Sequence, residues 1–191
     1  MFDLDGFIEG CRALAGDPHA PRRALEMMRA ALADPAAVAE AVTPLAPGED
    51  PLTAPLHRAA DLTVLNAALR PGLVTIPHDH HMWAVIGIYD GEEANTFFRR
   101  TGGGLEESGR RTIHAGEAIL LGADVIHAIE NRLERPTLGL HVYGGDLLGA
   151  PRHMWDPQSG AELTYDVAAF GRLSRDLARS RRANQPAPAA G

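Results

Sequence analysis

The chain has 191 residues, 45% of them hydrophobic and 23% charged, enough to bury a core without disulfide staples. A formal net charge of -7, with no Lys/Arg block beside an aromatic platform, argues against a nucleic-acid surface. No apolar run approaches the about 20 residues of a membrane span, and the single cysteine, Cys11, allows no disulfide within the chain, so a cytoplasmic protein is expected.

Residues 1–50 read as a helical segment packed on the rest of the chain. Asp3 and Asp17 are plausible N-caps, and Asp17-Pro18 and Asp34-Pro35 each pair a capping acid with a first-turn proline. The acidic start, Met1-Phe2-Asp3-Leu4-Asp5, does not resemble a signal peptide. Cys11 falls within a helix and has no activating base nearby in sequence. The run Thr43-Pro44-Leu45-Ala46-Pro47-Gly48 breaks the helical pattern and marks a boundary.

Residues 51–150 change character. Short segments rich in Val, Ile, Leu, Thr and aromatics alternate with Gly/Pro turns: 62–69, 83–89, 92–100, 111–114, 118–121, 125–131 and 137–143. Asp90-Gly91 is a hairpin signal, and Thr101-Gly102-Gly103-Gly104 reads as flexible. Many short strands at close spacing predict an all-β sandwich or barrel. Residues 151–191 read as an extended arm, a helix over 167–182 and a disordered tail from Asn184.

The most informative stretch is Pro77-His78-Asp79-His80-His81-Met82-Trp83. On an extended strand His78 and His80 share one face, Asp79 takes the other, and His81 points away from the pair. His127, in a second strand, is a third imidazole. Neutral rings facing one interior sit unpaired unless a divalent ion bridges them, so His78, His80 and His127 are the expected metal ligands. Their ring tautomers need acceptors, for which Glu130 and Asp79 are candidates, each equally readable as a solvated acid. His141 and Tyr143 are again two apart and share a face. Tyr143 is either a phenol hydrogen-bonding at the site, oriented by His141, or a core aromatic. One of Arg99 and Arg100 points inward to bind a carboxylate, or both end a solvated strand. Met82 and Trp83 line the pocket or belong to the core. His114 is expected at the surface.

These blocks resemble the cupin superfamily, whose first motif is His-x-His followed by a carboxylate and a closing glycine, and whose second supplies another His. Here Ala84 stands four residues after His80, and no acid lies between His80 and Tyr89, which matches three-His cupins. Within the superfamily the chain is similar to the thiol dioxygenases, the group of cysteine dioxygenase and 3-mercaptopropionate dioxygenase. The similarity lies in His78-Asp79-His80 with Trp83 and the run to Gly91, then Val125-Ile126-His127-Ala128-Ile129-Glu130-Asn131, then Leu140-His141-Val142-Tyr143-Gly144. It implies a double-stranded β-helix (jelly-roll) barrel flanked by N-terminal helices and a C-terminal helix.

It also implies Fe(II), with Zn, Ni or Mn as alternatives, held by His78, His80 and His127, and a small thiol and O2 as substrates. Tyr143 and His141 would assist, and Arg58 stands where that group anchors a substrate carboxylate. Trp83 and Arg99 complete the candidate substrate contacts, and a homodimer is expected. The chain departs from the group's Ser-x-His-x-Tyr relay, having Gly139 in place of Ser, and no cysteine near Ala84 is available for a thioether crosslink. The rival expectation is a cupin that binds metal without redox chemistry, as a small-molecule sensor or an isomerase.

Overall fold

The computed structural model describes residues 1–42 and 55–183. The expected boundary at 43–48 and the expected disordered tail from Asn184 lie outside the described residues. Three helices come first: α1 (Leu4–Arg12), α2 (Ala20–Ala31) and α3 (Pro35–Ala41). Asp3 and Asp34 cap α1 and α3, their carboxylates accepting from the N–H groups of Gly6 and Ala37 at 2.9 and 3.1 Å. Asp17 does not cap α2. It accepts from His19 N–H and pairs with Arg23 instead. A helix starting at Pro18 would put Pro21 at its fourth position, where the first intrahelical N–H is needed. Starting at Ala20 keeps Pro21 in the first turn, where that N–H has no role.

Ten strands follow: β1 (His57–Arg58), β2 (Thr63–Leu69), β3 (Ala84–Asp90), β4 (Glu92–Thr101), β5 (Gly104–His114), β6 (Ala118–Leu121), β7 (Ile126–Glu130), β8 (Thr137–Tyr143), β9 (His153–Trp155) and β10 (Glu162–Thr164). α4 (Val167–Ala183) closes the described chain. One sheet has the order β1-β2-β8-β3-β6, and a second has β5-β4-β7, with every pair antiparallel. The irregular stretch 74–78 runs beside β7 through bridges Val74–Glu130 and His78–His127, and so supplies the second sheet with a fourth ribbon. Successive segments thus pass back and forth between two antiparallel layers, the five-stranded sheet and the β5-β4-β7 sheet extended by the 74–78 ribbon. That is the double-stranded β-helix, or jelly roll, of cupins.

Both faces of the larger sheet are buried. On β3, Ala84, Ile86 and Ile88 face the interior with Leu65, Ile113, Leu121 and Tyr143. Val85 faces outward with Val64, Leu140 and Val142, under Met28, Leu32 and Val38 of the helical layer. A strand covered on both sides needs a continuous apolar run, and Ala84–Tyr89 provides it. α2 crosses β3 at Gly87, where an added Cβ would lie 2.5 Å from Met28 Sδ and 2.8 Å from Leu32 Cδ1.

β5 begins at Gly104 rather than at Arg111. Its early part alternates no apolar residues, and backbone pairing with β4 carries it, helped by the surface pairs Arg99–Glu106 and Arg110–Glu107. The expected arm contains β9 and β10, and β9 is stitched to the His78 segment by the Met154 bridge. α4 lies over the same segment, where Ile76 N–H donates to Ser174 Oγ at 3.2 Å. Among the described residues no helix is long and apolar enough to cross a membrane.

Candidate metal centre

His78 and His127 exchange two backbone hydrogen bonds, at 2.9 and 3.0 Å, which sets their rings side by side with centroids 4.7 Å apart. His80, two residues on, brings a third ring to 5.2 Å from His78 and 5.1 Å from His127. All three side chains are buried, and one ring nitrogen from each lies within 4.8 Å of the others. The segment is not the regular strand expected. His78 is a single bridge residue, His80 and His81 lie outside any strand, and His81 has φ +55° where the chain turns toward β3. The inward–outward alternation survives this irregularity.

The acceptors that orient the rings differ from those expected. His78 Nδ1–H donates to Ile76 O at 3.2 Å, and His127 Nδ1–H donates to the Asn95 side-chain oxygen at 2.8 Å. Asn95 in turn donates to Glu93 at 2.9 Å. With Nδ1 of His78 and His127 committed as donors, their Nε2 atoms are bare acceptors, and that of His127 is buried without a partner. An orphan buried acceptor inside a converging imidazole trio fits a divalent cation. Glu130 faces outward to Arg132 and Arg181, and Asp79 turns away from the trio to accept from His153 N–H. Neither orients a ligand ring.

Burial is the main force on the three ligand imidazoles and on Glu93. Desolvation, then the neighbouring His127 and Arg152, hold His78 and His80 well below the usual imidazole range. Burial brings His127 down to about 4. The trio is therefore neutral, the form that binds metal. Glu93, 1% exposed, is pushed up to about 7 by burial against the opposing Asn95 hydrogen bond.

β8 sends His141 and Tyr143 into the same interior. The Tyr143 ring stands edge-on to His80 at 5.1 Å, and its hydroxyl is 3.2 Å from His141 Nδ1. Burial, with Glu93 adding to it, raises Tyr143 above the ordinary phenol range, and burial lowers His141 to about 3. His141 Nε2 is a second buried atom without a partner. At Gly139 an added Cβ would lie 2.8 Å from that nitrogen and 2.9 Å from Gly87 O, so the interior has no room there for the missing serine.

Three residues expected near substrate stand elsewhere. Arg58, on the short edge strand β1, forms a bidentate pair with Asp146 on the surface. Arg99 is exposed and tied to Glu106. Trp83 has the outward parity of Val85 and joins the helix-facing cluster, its indole filling the space over Gly144. The cation that does lie at the site is Arg152, which the sequence reading missed. It is 6% exposed, its guanidinium sits 3.4 Å from the Tyr165 ring centre, and its charge is felt at His78, His80 and Tyr143. Among the described residues no carboxylate pairs with it. It lies on an arm without periodicity, where sequence carries no sign of burial. Phe170 of α4 closes the same side, 5.0 Å from His78. A groove of about 390 Å³ lies apart from this centre, on the outer face of β4 and β7 around Thr96, Phe98 and Ala128.

No family model matches the chain. Among solved structures it is similar to a Klebsiella pneumoniae protein with a double-stranded β-helix domain, at 18% identity over 61% of this chain and 87% of that one, with a TM-score of 0.46. An RmlC-like cupin from Methanocaldococcus jannaschii aligns at 15% identity over 49% and 78%, with a TM-score of 0.41. An oxalate decarboxylase variant from Bacillus subtilis aligns at 19% identity over 46% of this chain and only 22% of its own length, with a TM-score of 0.38. These neighbours are cupin-fold proteins, and the likeness is one of fold. The assignment of the fold rests on the strand order itself.

Proposed function

We propose that the protein is a mononuclear iron(II) dioxygenase that converts a small anionic thiol to its sulfinate. The observation that carries this reading is Arg152, a buried guanidinium that no carboxylate pairs with among the described residues, its charge felt at His78 and His80 of an imidazole trio that no described acid joins. The Tyr165 ring offsets part of the cost of burying this cation but brings no negative charge, so the interior favours a ligand that does. A thiol bearing a carboxylate brings two: the thiolate near the imidazole trio and the carboxylate for Arg152. Iron(II) held by His78, His80 and His127 would supply Lewis acidity toward a thiolate and the electron-transfer capacity that dioxygen chemistry needs.

The balance is simple. A thiolate and O2 give a sulfinate, both oxygen atoms passing to sulfur with no external reductant and no net proton. The protein's own groups suit that balance. Of the two neutral forms of His141, the one protonated on Nδ1 leaves a bare acceptor at the unpartnered Nε2, less costly than an orphan N–H. In that form His141 donates to the Tyr143 oxygen, and the phenol hydrogen is free to turn toward His80. Tyr143, held above the ordinary phenol range, keeps its proton and acts as a hydrogen-bond donor.

The test is oxygen uptake by protein loaded anaerobically with Fe(II), over small thiols with and without a carboxylate. O2 consumption equal to thiol loss, a product heavier by two oxygen atoms, and an Arg152→Met variant whose KM for carboxylated thiols rises about tenfold or more support the reading. Iron-loaded protein that consumes no O2 with any of them refutes it. Gly139 favours a second reading: without a relay hydroxyl, the same centre serves a non-redox cupin, a sensor or an isomerase, on Zn, Ni or Mn. Metal analysis of protein purified without added metal separates the two, zinc without iron favouring the second.

A further inference from the structure

We propose a second divalent-metal site on the outer side of the same segment, formed by Asp79, His81 and His153. It goes beyond the dioxygenase reading and stands whichever ion the interior trio holds. Three donor atoms converge there: His153 Nδ1 is 3.1 Å from His81 Nε2, and each lies 3.2 Å from Asp79 Oδ2. Donors bound at the roughly 2.0–2.1 Å of Zn–N and Zn–O bonds in a tetrahedral shell stand about 3.3 Å from one another, so this triangle is already close to one face of such a shell.

The surroundings hold the donors in place. Asp79 is 1% exposed, and its other oxygen accepts from His153 N–H at 2.7 Å. Asp79 N–H donates back to His153 O at 3.1 Å, which fastens β9 to the segment. Behind His153, Glu162 places a carboxylate oxygen 3.6 Å from Nε2, the outward-facing nitrogen, which adds negative charge beside the ring. His81 adopts φ +55°, in the left-handed region that is uncommon outside glycine, and it does so where the ring meets Asp79 and His153. The two imidazoles remain partly exposed, so an ion has access and a position open to water. The neighbouring cation, Arg100, lies 3.5 Å from Asp79 and is also paired with Glu162. Two carboxylates against one guanidinium leave one negative charge for the incoming ion. Two imidazoles and a carboxylate select Zn(II), Ni(II) or Cu(II) over Mg(II) or Ca(II).

Residues 78 and 80 therefore face one ion and residues 79 and 81 another, so an outer ion clamps β9 to the strip of backbone that carries two of the inner ligands. The full chain, stripped of metal, is titrated with Zn(II) alone, and the bound equivalents are counted after dialysis. Wild type is expected to hold two ions, and His80→Ala, His81→Gly and His153→Gln one each. His81→Gly relieves the left-handed backbone, so it folds at least as well as wild type without metal and loses only the ligand. His153→Gln keeps the β9 ladder and reaches the same count independently. Equal counts in wild type and either outer-site variant, or no ion held by His80→Ala, overturn the proposal.

Discussion

Asn95→Leu removes the one side chain that joins the inner ligands to the buried acid behind them. Asn95 accepts from His127 at 2.8 Å and donates to Glu93 at 2.9 Å, so an apolar residue of similar size breaks both links without opening a large cavity. Two separable losses follow. Glu93 Oε2 already has no partner, so the substitution leaves a buried carboxyl with neither oxygen bonded, at about 1–3 kcal/mol of stability in the metal-free protein. The His127 ring loses the acceptor that fixes its tautomer, which lowers metal affinity about 10- to 100-fold, or about 1.4–2.8 kcal/mol. Chemical denaturation of the metal-free protein reads the first loss, and competition against a metal indicator reads the second. Glu93→Gln is the control, because its amide oxygen still accepts from Asn95 and leaves the His127 link intact. An Asn95→Leu protein that binds metal as tightly as wild type would refute the assignment of Asn95 as the group that orients His127.

Three further outcomes follow from the same interior. Folded Glu93 keeps its proton to about pH 7 while the unfolded side chain loses it near 4.5, so across that window the native state holds the extra proton and Glu93 makes stability fall as pH rises. Glu93→Gln is therefore expected to match wild type below pH 4.5 and to exceed it above pH 7 by up to about 3 kcal/mol, read by urea melts of metal-free protein across pH. Gly139→Ser forces a Cβ to within 2.8 Å of His141 Nε2 and 2.9 Å of a backbone oxygen, and is expected to cost about 1–3 kcal/mol in thermal unfolding rather than to restore a relay. Cys11, on the buried face of α1, has its thiol pushed up to about 11 by burial, so alkylation at pH 8 should be slow in native protein and fast in urea.

What sequence made legible was whatever depends on short-range pattern. Ala84–Tyr89 is apolar on both faces because helices cover one and the interior the other, and that shows as an unbroken run. The alternation in His78-Asp79-His80-His81 showed as well, because it depends only on which way successive residues point. Arg152, Asn95 and Glu93 did not show. Glu92-Glu93-Ala94-Asn95 reads as a polar, solvated strand, and only pairing of β4 with β7 places Glu93 and Asn95 indoors. For Arg58, Arg99 and Trp83 the sequence carries only a position along the chain. Their surroundings were decided by contacts that sequence does not carry: Asp146 for Arg58, Glu106 across the hairpin for Arg99, and the gap over Gly144 for Trp83.

The electrostatic balance of the interior ties these residues together. The imidazoles are neutral, Arg152 is positive, and Glu93 sits close to half-protonation at neutral pH. A divalent ion added to this set leaves an excess of at least two positive charges even with Glu93 ionised. A carboxylate ligand from the first histidine motif would remove part of that excess, and the chain has none between His80 and Tyr89. Charge must then arrive with the ligand, and a doubly anionic small molecule meets the demand better than a neutral one. Before any ion is added, the same burial that keeps the imidazoles neutral also favours the protonated phenol of Tyr143.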